Sequence, residues 1–184
     1  RCKFRVSSNI KGTREIMTRN DILIRLRYAL NITDLALVEI FALGGKTMEV
    51  EAIRPLFLKE GEAGWKECDG STLGSFLQGL VISRRGPREE LSGKKSPVSG
   101  RKGPNPSAPS RQKELTNNDV LKALRIALAL KDVDVVEIMR VAGADVTVSE
   151  LNALFRKEGH PKYQACGDQF LRNFLVGITK KFRA

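Results

Sequence analysis

The chain has 184 residues, 41% of them apolar, with a formal net charge of +11 and a mean hydropathy of −0.24, proportions that suit one folded domain or two small ones. No apolar run approaches the roughly 18 to 20 residues of a membrane span, and the basic stretch RCKFRVSSNIKGTREI has charges where a signal peptide needs its apolar segment. Cys2, Cys68 and Cys166 are widely separated and form no CxxC pair, which argues against a disulfide framework or a zinc finger, so the expectation is a cytoplasmic protein with no membrane association and reduced thiols.

Along the chain, residues 1–17 form a basic extension of net charge +4. Residues 18–86 then recur as residues 116–184, a shift of 98 positions without a gap, with 25 identities in 69 pairs. TRNDILIRLRYALNITDLALVEI from Thr18 and TNNDVLKALRIALALKDVDVVEI from Thr116 show the duplication most plainly. Residues 87–115, PREELSGKKSPVSGRKGPNPSAPSRQKEL, are rich in Pro, Gly, Ser and basic residues and read as a flexible linker of about 30 Å r.m.s. span. Copy 1 is neutral overall, copy 2 carries +3 and the linker +4, so most of the basicity lies outside the repeated units.

Each copy reads as four short helices, and the fold class is all-α. In copy 2 the first helix starts at the Thr116/Asp119 cap, buries Val120, Leu121, Leu124 and Ala127, and runs to about Leu130. The second, from about Asp132, is almost continuously apolar and is expected at the centre of its unit, with Gly143 just past its end. The third opens with the capping box TVSE (Thr147, Glu150) and stops at Gly159, and the fourth presents Phe170, Leu171, Phe174, Leu175 and Ile178 as one stripe. Pro55, aligned with Ala153, predicts a shortened or kinked third helix in copy 1. Gly79 and Gly177, inside the fourth helices, predict a close helix contact, with the seam between copies as its candidate place.

Several residues invite a chemical reading. Arg27 and Glu39, like Arg125 and Glu137, are charges within apolar helices at similar distances from a turn, and are expected to form register-fixing ion pairs. Trp65 and Tyr163 stand in the loops before the last helix and either pack those loops or stack on a base. Cys68 and Cys166 precede a helix start, a position that lowers a thiol pKa, although a packed structural cysteine is the preferred reading. His160 has no second histidine near it and Glu62 in its place in copy 1, so it reads as a surface residue. The basic ends, Arg84 and Arg85 in SRRGPR and Lys180, Lys181 and Arg183 in TKKFR, either complement the helix dipole or contact phosphate. No Walker loop, GxGxxG, HExxH or GxSxG occurs, so no enzyme, cofactor or metal is expected.

TRNDILIRLRYALN, LVEIFALGG and SRRGPRE in copy 1, with LTNNDVLKALRIALAL, ELNALFRKEGHPKY and CGDQFLRNFLVG in copy 2, make the chain resemble the bacterial YehS family. That resemblance covers residues 17–184 and implies a bacterial, cytoplasmic, two-domain layout that begins near Met17, but no activity or catalytic residue. Without residues 1–16 the net charge is +7. The functional expectation is a non-catalytic helical module that binds a protein partner or itself, with RNA or DNA binding through the basic ends and linker as the alternative.

Overall fold

The computed structural model describes residues 17–86 and 114–183, and the expectations for residues 1–16 and 87–113 fall outside that range. All regular structure among the described residues is helical. Copy 1 comprises α1 (Arg19–Leu30), α2 (Asp34–Leu43), α3 (Val50–Ile53) running into a 3₁₀ turn (Arg54–Phe57), and α4 (Gly70–Arg85). Copy 2 comprises α5 (Asn117–Ala127), α6 (Asp132–Val141), α7 (Val148–Leu154) and α8 (Asp168–Arg183).

Local chemistry sets these boundaries. Thr18 and Thr116 each accept the N–H of the aspartate three residues on, while that carboxylate accepts the threonine N–H, and Thr147 and Glu150 do the same for α7. Thr33 caps α2, and Asp69 caps α4 by accepting the Thr72 N–H at 2.5 Å, a bond that holds its carboxyl below the ordinary carboxylate range. Past α2 and α6 the chain turns through Gly45 and Gly143 at φ of 79° and 83°, the left-handed region that a Cβ disfavours. As Pro55 predicts, α3 spans only four residues before the backbone tightens, whereas α7, with Ala153 at that place, runs for seven.

Within each copy the fourth helix crosses the second: α4 lies on α2 and α8 on α6. The crossing is at backbone contact, because a Cβ added to Gly79 would collide with the Ile40 carbonyl oxygen and one on Gly177 with that of Ile138. The close contact foreseen at these glycines therefore lies inside each unit and not between the copies.

The copies meet by exchange of their first helices. α1 packs along α8 and α5 along α4, while each touches the fourth helix of its own copy only lightly. The seams are thus first helix on fourth helix, reciprocal in the way a two-fold axis generates, and not fourth on fourth as expected. One buried cluster runs through both copies and includes Leu23, Leu26, Phe41 and Phe76 with Leu121, Leu124, Ile138 and Phe174. Met17, assigned from sequence to the extension, is buried in it, and Leu115, assigned to the linker, packs against it.

The centre-of-unit expectation for α2 and α6 needs correcting. One side of each is covered, by Leu37, Ile40 and Phe41 or by Val135, Ile138 and Met139, yet Leu35 is 73% and Val133 66% exposed on the other side.

Candidate interaction surface

One amide per copy ties the irregular segments to the first helix. Asn20 donates through Nδ2 to the carbonyls of Leu56 and Lys66, both at 2.9 Å, and accepts the Cys68 N–H on Oδ1 at 2.8 Å. Asn118 repeats this with Leu154 (2.8 Å), Gln164 (2.9 Å) and the Cys166 N–H (2.8 Å). The Tyr163 hydroxyl adds a bond to Asn118 Oδ1 at 3.3 Å, and both Trp65 and Tyr163 are half-buried, which favours loop packing over a stacking platform. Sequence reasoning did not single out these asparagines as structural, although their identity in both copies was the available signal.

The cysteines held by this tie are buried, which disfavours their thiolates. Burial, with Asp69 nearby, pushes the Cys68 thiol up from its ordinary value of 9.0 to about 11. Burial, with Asp168 nearby, pushes Cys166 up to about 12. Desolvation thus outweighs the helix-start effect that would have activated them.

The expected Arg–Glu pairs are not formed. Arg27 meets Asp34, the first residue of α2, at 2.5 Å and sits over the Phe57 ring at 4.9 Å. Arg125 repeats the arrangement with Asp132 at 2.6 Å and Phe155 at 4.5 Å. The start of the next helix, seven residues on from each arginine, is nearer than that helix's middle, so the aspartate takes the arginine. Glu39 and Glu137 are exposed on the outer side.

Most of the basic helix ends have partners inside the molecule. Arg85 donates to the Ile126 carbonyl at 3.2 Å, and its equivalent Arg183 lies over Tyr28 at 3.9 Å and donates to Asn31 Oδ1 at 3.2 Å, so each clamps the other copy. Lys180 donates to the Val141 carbonyl at 3.0 Å, and Lys181 lies 3.5 Å from Glu137 and 3.7 Å from Asp134. Arg84 is exposed. His160 is exposed, with its Nδ1 accepting the Lys162 N–H at 3.0 Å, and among the described residues no group of three or more His, Cys, Asp or Glu forms a metal-holding cluster. No helix among them is long and apolar enough to cross a membrane.

The geometry repeats unit by unit, and so does the comparison with known families. Residues 19–86 and 117–184 each match the family model described as "Protein of unknown function (DUF1456)". The chain belongs to this family. It is 37% identical over 167 residues to the Uncharacterized protein YehS of Escherichia coli (strain K12), an alignment that covers 90% of this chain and 96% of that relative. No solved structure matches the chain. The two DUF1456 segments coincide with the two four-helix units, so the outward sides of α2 and α6 occupy the same place in each family domain.

Those sides leave apolar side chains exposed in both copies. Leu35 and Val133 are equivalent residues and, among the described residues, have the highest exposures of the exposed large apolar side chains, 73% and 66%. Around them stand half-buried Val38 and Val136, exposed Glu39 and Glu137, and Val50 and Val148 from the next helix. On copy 2, Val133, Val136, Arg140 and Val148 line a shallow depression of about 280 Å³.

Proposed function

We propose that the chain is a non-catalytic cytoplasmic interaction module that binds a protein partner, or a second copy of itself, through the outward sides of α2 and α6. The observation that carries this reading is the exposure of Leu35 and Val133 at equivalent positions of two diverged copies. Apolar side chains left in water at the same place twice, with valines around them, resemble the centre of a helical docking face. The glutamates support it too. Glu137 has Lys181 beside it, but copy 1 has Ser83 at that position, so this internal pair is not the use the two glutamates share.

The test is the double substitution Leu35→Glu with Val133→Glu. Each apolar side chain contributes about 1.5–3 kcal/mol when fully buried, so the pair should lower affinity for a partner more than tenfold while leaving the fold intact. Sedimentation of the purified chain over a wide concentration range addresses self-association. Reconstitution with a purified partner addresses the other arm, and equal binding by the double variant defeats the reading.

Nucleic-acid binding is the lesser reading, because Arg85, Lys180, Lys181 and Arg183 already engage carbonyls, carboxylates or a ring. Titration against mixed RNA and duplex DNA from low to physiological salt tests it. Binding that survives physiological salt and falls on replacing these cations would displace the protein-interaction reading.

A further inference from the structure

The two seams between the copies are equivalent by descent but differ in the side chains that their helices carry. Along α1 and α8 stand Arg25, Tyr28, Arg172 and Arg183, with Arg183 laid over the Tyr28 ring. The corresponding residues of α5 and α4 are Ala123, Ile126, Gly74 and Arg85. Two arginines are thus replaced by Ala and Gly and a tyrosine by Ile, and a Cβ added to Gly74 would meet nothing within 4 Å. What the smaller residues leave is a groove of about 830 Å³ between α4 and α5, with Leu77, Val81, Ile82, Leu115, Ala123 and Ile126 among its walls.

Polar groups around this groove are few and their signs are uneven. Arg85 reaches the Ile126 carbonyl on one side, and Lys122 is exposed on the other. The carboxylate present, Asp119, is committed to its helix cap, where it accepts the Thr116 N–H at 3.1 Å and the Thr116 hydroxyl at 2.7 Å. An apolar cleft between domains, in the size range of about 300–1,000 Å³ and with a small number of charges at its edge, has the form of a small-molecule site.

We infer that the α4–α5 groove binds an amphiphile with an unbranched apolar body and an anionic head, of the free fatty acid class. The chain lies against Leu77, Val81, Ile82 and Ile126, and the carboxylate lies at Lys122, the exposed cation at the groove's edge. This site is on the seam between copies and does not depend on the role proposed for α2 and α6.

Calorimetric titration of the full chain with dodecanoate, below its micelle-forming concentration, tests the assignment against dodecyltrimethylammonium, which has the same chain and the opposite charge. Dodecanoate should bind saturably and at least tenfold more tightly than the cation. Ala123→Arg installs the residue that the other seam carries at the equivalent position, so it fills the groove with a side chain the architecture already accommodates. It should weaken dodecanoate at least tenfold even though it adds a positive charge, with the melting temperature unchanged, and Lys122→Glu should weaken it severalfold. Methyl NMR of the unsubstituted protein, which needs no variant to fold, should show the shifts on adding dodecanoate confined to Leu77, Val81, Ile82, Leu115 and Ile126. Absent saturation, equal affinity for the cation, undiminished binding by a folded Ala123→Arg, or shifts centred elsewhere would each overturn the proposal.

Discussion

Replacing Asn20 with Ala removes, in one step, the donor to the Leu56 and Lys66 carbonyls and the acceptor of the Cys68 N–H. The site is 5% exposed, so water cannot replace all three bonds, and the expected loss is about 2–4 kcal/mol of unfolding free energy in a denaturant titration. Asn20→Asp should cost more at neutral pH, because its carboxylate would face two carbonyl oxygens with no proton to donate. The neighbouring thiols give a prediction of opposite pH sense to the usual carboxylate case. Cys68 and Cys166 have folded-state pKa values pushed up to about 11 and about 12, above the ordinary 9.0, so the native state favours the neutral thiol. Their contribution is intact below pH 9 and is lost as pH rises toward the folded values, because the unfolded chain ionises first. The slope is at most about 1.4 kcal/mol per pH unit for each thiol. The Cys68→Ala, Cys166→Ala double variant should therefore lose less stability between pH 9 and 11 than the parent. Iodoacetamide at pH 8 should leave both cysteines unmodified until denaturant is added, as read by peptide mass spectrometry.

At the scale of the element, two glycines in corresponding helices predict opposite outcomes. Gly177→Ala drives a methyl into the Ile138 carbonyl where α8 crosses α6, and should cost about 3 kcal/mol by thermal unfolding, since backbone on both sides must move. Gly74→Ala, inside α4 with open space around it, should instead stabilise by about 0.5–1 kcal/mol through reduced unfolded-state freedom. Sequence reasoning read a close helix contact at Gly177 and made no reading of Gly74; the neighbour's position is what separates the two. The same division runs through the rest of the molecule. Thr18, Thr116 and Thr147 act on groups three residues away, and Pro55 on its own turn, so the caps and the broken third helix were legible. The partner of Arg27 was not, because distance from a turn places a charge along a helix but not around it. α2 and α6 are apolar around most of their circumference, so periodicity could not reveal which side would be left uncovered at Leu35 and Val133.

Whole-molecule stability depends on the exchange of first helices between copies. With α1 seated on α8 and α5 on α4, each first helix packs mainly on the fourth helix of the other copy, and the buried cluster has no break at which the copies could part without exposing apolar surface. The Arg183–Tyr28 and Arg85–Ile126 clamps close both seams from opposite ends. Duplication alone could not disclose this, because two independent units joined by a tether would carry the same repeat. The distinguishing experiment inserts a protease site within residues 87–113 and cuts the intact chain. The halves should co-elute on size exclusion and unfold in a single transition, since the interface and not the connection holds them. Cutting replaces a millimolar effective concentration with the bulk one, so at about 10 µM protein the unfolding free energy should fall by roughly 2–3 kcal/mol and the midpoint should become concentration-dependent. Halves that elute separately, each with its own transition at an unchanged midpoint, would instead make the copies autonomous. The reciprocal seam would then be a docking of finished domains.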